Sequence, residues 1–136
     1  MVKTNPFVSS QARKVRKAFF NASKDEKHVA LSCRLSKELQ ETHGIKQLPV
    51  RRDDEIRVTV GTNNKREGKV TDVKLSEMRI YVDSLTKEKI NGQSVKIPVH
   101  PSNCVITKLK MDKHRVELIN KKKQNREKAL AKLGHK

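Results

Sequence analysis

The chain has 136 residues, 34% of them apolar and only 3% aromatic, and carries a formal net charge of +17. That length suits one domain, and so lean an apolar content leaves part of the chain as extension rather than core. The charge points to a polyanionic partner, nucleic acid before an anionic membrane. No apolar run approaches the roughly 18 residues of a spanning helix, and no basic segment has a continuous apolar face.

The first twenty residues lack the apolar stretch of a secretory signal, which predicts a reducing compartment and no disulfide. Cys33 and Cys104 are far apart, without paired spacing or histidines at ligand spacing, so no zinc site or other cofactor is expected. Asn21-Ala22-Ser23 matches a glycosylation acceptor, but the match has no chemistry without the secretory route. Ser10 is placed to cap a helix over 11–20, with Arg13, Lys14, Arg16 and Lys17 in its interior and Phe19-Phe20 as an apolar end. Ser23 and Glu26 have capping-box spacing, and the helix they open is expected to carry Val29, Ala30, Leu31 and Cys33. Ser36 can cap a third short helix over 37–43. Gly44 then stands where helices commonly stop in a left-handed residue.

After Pro49 the pattern changes to alternation. Ile56, Val58 and Val60 recur with period two, as do Met78, Ile80 and Val82, which sets one side of each strand on a core. Five short strands are predicted near 55–60, 69–75, 78–84, 94–99 and 104–108. The loop between the first two, from Gly61 to Gly68, combines the left-handed tolerance of Asn63 and Asn64 with the charge of Lys65 and Arg66, a composition that suits phosphate oxygens. Ser76-Glu77 predicts a tight link and Asn91-Gly92 a type I′ hairpin turn. Pro101-Ser102-Asn103 predicts a single helical turn. Five short strands cannot bury a face as a flat sheet. Curling them into a small barrel would enclose Ile56, Val58, Val70, Val73, Ile80, Val82, Val95, Ile97 and Ile106.

Beyond the strands, Asp112 is a candidate N-cap for a helix reaching Leu133 and stopped by Gly134. Val116, Ile119, Leu130 and Leu133 give its ends apolar stripes. The segment 120–128, NKKKQNREK, offers nothing to bury and is expected to need a charged partner or to fray. Charge follows the same division: residues 1–52 carry net +8, 53–110 net +3 and 111–136 net +6. The chain therefore reads as a basic helical extension over 1–50, a nearly balanced strand-rich centre over 51–110 and a basic C-terminal helix over 111–136.

Catalytic constellations are missing from the sequence. No glycine-rich loop leads into Lys-Ser or Lys-Thr, so a nucleotide has no phosphate cradle. Asp53-Asp54-Glu55 sits in an alternating stretch where adjacent side chains diverge, and pairing with Arg51, Arg52 or Arg57 is expected over metal binding. His100 and Ser102 lack an acidic partner for a nucleophilic triad, so His100 is read as a turn residue. His28, His43, His114 and His135 are scattered among basic helices as RNA-facing or solvent-facing groups.

Taken together, these residues resemble a known family. The segment 54–82, with Gly68 followed by Lys69 and Val70, is similar to the KOW motif, which transcription elongation factors and RNA-processing proteins share. The flanks are more specific: Asn5-Pro6-Phe7-Val8, Phe20-Asn21-Ala22, Leu35-Ser36-Lys37-Glu38-Leu39, Pro49-Val50-Arg51, and His100-Pro101-Ser102 through Ile106-Thr107 and Leu109. In order and spacing they resemble the large-subunit ribosomal protein family numbered 24 in the universal scheme and 26 in the eukaryotic one. The loop GTNNKREG departs from the family pattern, being one residue shorter and lacking the glycine of its usual Lys-Gly pair.

The resemblance implies a mostly β fold, an SH3-like five-stranded barrel flanked by basic helices. It also implies binding to the 5′ domain of large-subunit ribosomal RNA during assembly, near the polypeptide exit tunnel, with neighbouring ribosomal proteins as further partners. The expected location is the cytoplasmic ribosome after passage through the nucleus or nucleolus, with no membrane insertion, no small-molecule substrate and no catalysis. Expected phosphate contacts are Arg13, Lys14, Arg16, Lys17, Arg51, Arg52, Lys65, Arg66, Lys69, Lys121, Lys122, Lys123 and Arg126. Gly61, Gly68, Asn91 and Gly92 are expected to shape the strand connections. A KOW-containing transcription or RNA-processing factor is the alternative.

Overall fold

The computed structural model describes residues 7–134. Asn5 and Pro6 of the N-terminal motif and His135 lie outside these described residues. The elements in order are helix α1 (Ala12–Phe20), α2 (Lys24–Ala30), strand β1 (Ser32–Leu35), α3 (Lys37–His43), β2 (Gln47–Pro49), β3 (Glu55–Val58), β4 (Glu67–Lys74), β5 (Arg79–Glu88), β6 (Ser94–Val99), a 3-10 turn (Pro101–Asn103), β7 (Cys104–Lys108) and α4 (Lys113–Gly134).

Helix ends follow local side-chain chemistry. The Ser23 hydroxyl accepts from the Glu26 N–H at 3.3 Å while the Glu26 carboxylate accepts from the Ser23 N–H at 2.8 Å, a complete capping box. Ser36 accepts from the Leu39 N–H, and α3 closes on Gly44 at φ +69°. Asp112 accepts from the Arg115 N–H at 2.6 Å and starts α4. At α1 the cap differs from expectation: Gln11 is the N-cap, and Ser9 rather than Ser10 accepts the Gln11 N–H, at 3.3 Å.

The strands form one mixed sheet in the order β2-β1-β7-β3-β4-β5-β6. All neighbours are antiparallel except β1 and β7. The sheet departs from the sequence reading in two ways. Seven strands are present where five were expected, and the sheet is open, ending in β2 on one side and β6 on the other. The added strands come from the segment read as helical. Helix α2 stops at Ala30, so Leu31 and Cys33 leave it, and Cys33 and Leu35 point inward either side of exposed Arg34. That short alternation is stabilised by pairing with β7, about seventy residues later, where Leu35 lies opposite Ile106.

The β5–β6 connection is also built differently. Gly92 alone takes a positive φ, +77°, and its N–H donates to the Lys89 carbonyl at 2.9 Å. This is a type I turn closed by a left-handed glycine, not a type I′ turn through both Asn91 and Gly92. In the loop after β3 the positive φ values fall on Gly61, at +90°, and Lys65, at +67°, and not on Asn63 or Asn64; Lys65 closes the loop. Its N–H donates to the Val58 carbonyl at 2.8 Å, which holds the loop shut against β3. Gly68 has a separate role. A Cβ there would run into the side chains of Ser84, Asp83 and Val82, so β4 crosses β5 at a distance only glycine allows.

The core cluster takes in Ile56, Val58, Val70, Ile80, Val82 and Ile106 as expected, with Val73 and Ile97 half-buried against it. Val95 is 41% exposed and Val60 58% exposed, since the outer half of the β5–β6 hairpin and the chain just beyond β3 run past the core. Their places are filled from the flanks: Cys33, Leu35, Ile45, Leu48, Val50 and Ile119 are all buried. Both cysteines are free and buried, with the Cys33 thiol donating to the Pro101 carbonyl at 2.8 Å.

At the junction of centre and C-terminal helix lies a buried ion pair. Arg115 is 1% exposed and Asp54 is fully buried. The guanidinium binds both carboxylate oxygens, at 2.5 and 2.7 Å, and also donates to the carbonyls of Lys110 at 3.0 Å and Pro49 at 3.2 Å. The Asp54 carboxylate in turn accepts the N–H groups of Arg51 and Lys110, each at 2.9 Å. Among the described residues no buried side-chain polar atom lacks a partner. Removing one member of such a pair strands the other charge in a low dielectric, at a cost of about 3–5 kcal/mol. Arg115→Met should lower the unfolding free energy by about that amount in chemical denaturation. An unchanged denaturation midpoint would show that the pair is not structural.

Candidate nucleic-acid interface

The surrounding acidic residues decide which cations remain free. Asp53-Asp54-Glu55 is fully paired, though not with the arginines expected: Asp53 binds Lys69 at 3.0 Å and Lys110 at 2.5 Å, Asp54 binds Arg115, and Glu55 binds Lys108 at 2.9 Å. Arg51 pairs instead with Asp112, Arg52 with Asp72 at 2.7 Å, and Arg57 with Glu67 at 2.6 Å. Strand pairing brings two of these pairs together: Glu55 lies opposite Lys108, and Arg57 lies opposite Glu67. Of the thirteen basic residues picked out in the sequence, Arg51, Arg52 and Lys69 thus already carry a carboxylate partner. The other ten have none among the described residues.

Those ten fall into three groups. Arg13, Lys14, Arg16 and Lys17 lie on α1, which has no buried residue, and the Arg16 guanidinium sits 5.1 Å from the centre of the Phe20 ring. Lys65 and Arg66 stand exposed at the end of the β3–β4 loop. Lys121, Lys122, Lys123 and Arg126 lie on α4, in the stretch expected to need a charged partner or to fray. That stretch is helical because its long side chains reach across to the α3–β2 connection. The Lys122 ammonium donates to the Gln47 carbonyl at 3.3 Å, and the Arg126 guanidinium, one turn on, donates to the Gly44 carbonyl at 2.5 Å. Lys122 is half-covered in doing so, and the loss of solvent pushes its pKa down.

The same edge holds three cations that the sequence reading passed over. Arg34, Lys37 and Lys46 line a cleft of about 730 Å3 beside β1, α3 and β2, with Gln47 on its wall. Since Gln47 also receives Lys122, the cleft adjoins the basic stretch of α4. A signal existed in Cys33-Arg34-Leu35, whose alternation turns Arg34 outward, but it spans too few residues to be separated from the preceding helix. This arrangement can hold several phosphate groups along one face. Among the described residues no cluster of His, Cys, Asp or Glu could hold a metal ion, and no helix is long and apolar enough to cross a membrane.

Residues 9–122 match the model of a family described as ribosomal proteins L26 in eukaryotes and L24 in archaea. The chain belongs to this ribosomal protein family. It is 51% identical over 122 residues to large ribosomal subunit protein uL24B of Saccharomyces cerevisiae, covering 90% of this chain and 96% of the relative. Identity to large ribosomal subunit protein uL24 of Candida albicans is 49% over the same shares, and to uL24 of Caenorhabditis elegans 44% over 125 residues, 92% of this chain and 88% of the relative.

Within a member of this family, the paired cations can be told apart from the free ones by titration. Hydrogen bonds from Lys110 and then Lys69 hold the Asp53 carboxyl down to about 2, against an ordinary value of 3.8. Because the folded value is the lower one, the stabilisation from this cluster is complete above about pH 4 and is lost as pH falls towards 2. Carbon-detected NMR of Asp53 should show a midpoint near 2, moving up in Lys110→Met. A midpoint at the ordinary carboxylate value would mean that Lys69 and Lys110 are free to meet phosphate.

Proposed function

We propose that the protein is a non-enzymatic structural constituent of the cytoplasmic large ribosomal subunit, binding large-subunit ribosomal RNA in its 5′ domain during assembly, near the polypeptide exit tunnel. The observation that carries this reading is family membership over most of the chain, with three surface groups of cations left without acidic partners. The RNA contacts are assigned to Arg13, Lys14, Arg16 and Lys17 on α1, to Lys65 and Arg66 in the β3–β4 loop, and to Lys121, Lys122, Lys123 and Arg126 on α4. Arg51, Arg52 and Lys69 contribute after exchanging a carboxylate for a phosphate. Such contacts position folded RNA and do not read its sequence, because side chains cannot easily enter the deep groove of a paired A-form helix.

In this reading β3 to β7 form the SH3-like KOW unit. The register breaks between Val70 and Asp72 and between Tyr81 and Thr86 are the points at which such a sheet coils. The centre over 51–110 carries this unit; of the flanks 1–50 and 111–136, which also add β1, β2 and Ile119 to its sheet and core, the helices α1 and α4 act as basic arms on RNA and on neighbouring ribosomal proteins. Passage through the nucleus or nucleolus during assembly belongs to the same proposal.

Sedimentation of a lysate containing the tagged protein tests it. Large subunits separated by magnesium removal and washed in moderate salt should retain near one copy each. A Lys65→Glu, Arg66→Glu variant should come off at lower salt, since each lost phosphate contact flattens the salt dependence by about 0.7 to 0.9 in log-log slope. Recovery only in free or chromatin-bound fractions would overturn the ribosomal reading in favour of a transcription factor.

A further inference from the structure

All three phenylalanines of the chain are exposed, Phe7 at 96%, Phe19 at 45% and Phe20 at 60%, while the core cluster contains no aromatic ring. Exposed rings grouped beside cations are the usual means of holding single-stranded RNA, whose bases are splayed out and stacked on side chains. Phe19 and Phe20 meet edge to face at 5.3 Å at the end of α1. Together with Lys27, Met78, Arg79 and His100 they line a cleft of about 290 Å3 against the β4–β5 link. That is at the small end of ligand pockets, which begin near about 300 Å3, and is the scale of one planar base.

We propose that this cleft holds a single unstacked, amino-bearing base of the bound RNA, with Phe19, Phe20 and the His100 ring as stacking surfaces and Lys27 and Arg79 beside its phosphates. The proposal rests on the RNA-binding reading above and goes beyond it by naming a site and the form of RNA it takes.

The chemistry of the walls fits that occupant. His100 Nδ1 accepts the Ser102 N–H at 3.3 Å and lies 2.8 Å from the Ser102 hydroxyl, which leaves its proton on Nε2. Burial and the neighbouring Arg79 push its pKa down, so the ring presents an uncharged face and one donor. Glu77, also in the cleft, is held ionised by the Tyr81 hydroxyl at 2.5 Å and the Lys74 ammonium at 3.3 Å. Its carboxylate would repel a phosphate and can accept from an exocyclic amine, which sets the base edge toward Glu77 and the phosphate toward Lys27 and Arg79. Arg16, 5.1 Å from the centre of the Phe20 ring, adds a third cation beside the rings. Apolar rings rimmed by positive charge suit a polyanion that carries flat bases better than they suit an ordinary protein surface.

The test uses the full chain and a labelled single-stranded decacytidylate carrying one 5-iodocytidine. Ultraviolet crosslinks should map to Phe19, Phe20 or His100. Phe19→Leu with Phe20→Leu should weaken binding at least about fivefold with the salt slope unchanged, because stacking is lost and no phosphate contact is. These rings are exposed, so the fold is not at risk. His100→Asn should act in the same direction, its side-chain oxygen replacing Nδ1 as acceptor for the Ser102 N–H. Arg79→Gln should reduce both affinity and slope. Unchanged affinity in the Phe and His variants, with crosslinks confined to the basic arms, would overturn the base site while leaving RNA binding intact. A photoreactive group at position 20 that crosslinks to protein in assembled ribosomes would overturn it in favour of a protein occupant. Failure of the unaltered protein to bind either the decamer or a ribosomal RNA fragment would overturn the RNA-binding reading itself.

Discussion

Asp54 and Arg115 tie the C-terminal helix to the sheet at a single buried point. One carboxylate takes the N–H groups of Arg51 and Lys110 and both arms of the guanidinium, while the guanidinium takes the carbonyls of Pro49 and Lys110. The end of β2, the approach to β3, the exit of β7 and the first turn of α4 therefore meet at two side chains. Without that junction the apolar contact of α4 with the core would be Ile119 and Leu118, little surface to dock a helix of 22 residues. With it, the next basic turns are carried over the α3–β2 connection, where Lys122 and Arg126 find backbone acceptors.

Charge is sorted on the same principle. In the centre acid and base are matched across neighbouring strands, and the residual positive charge lies on α1, on the β3–β4 loop and along α4. Exposed pairs of this kind add little stability, commonly about 0 to 1 kcal/mol. What they do is remove Arg51, Arg52 and Lys69 from the set of immediately available cations. The free ones lie where the chain has the least apolar cover, which is why an RNA partner both uses the charge and relieves its self-repulsion.

The strands of the centre were legible because their signals are local. Alternation from Ile56 and from Met78, the Pro101 turn and the Ser23 and Ser36 caps each sit within a few residues of the element they define. β1 and β2 were not, since Ser32–Leu35 is stabilised by pairing with a strand about seventy residues away and follows directly on a well-capped helix. Arg115 was hidden for a similar reason: in a run of basic residues nothing local separates a buried arginine from a solvated one. Of the candidate site, the positions of the cations on α1, on the loop and on α4 could be read from the sequence. The pairing that occupies three of the residues, and the cleft that adds Arg34, Lys37 and Lys46, arise only from the sheet topology.

The central claim is that the buried pair presents α4 as a formed basic surface before RNA arrives. Amide hydrogen exchange of the free protein tests this most directly. Slow exchange continuing from Ile119 through Arg126 without RNA is the predicted result. Exchange at unstructured rates beyond Ile119, becoming slow only when RNA is added, would contradict it and make the helix a product of binding.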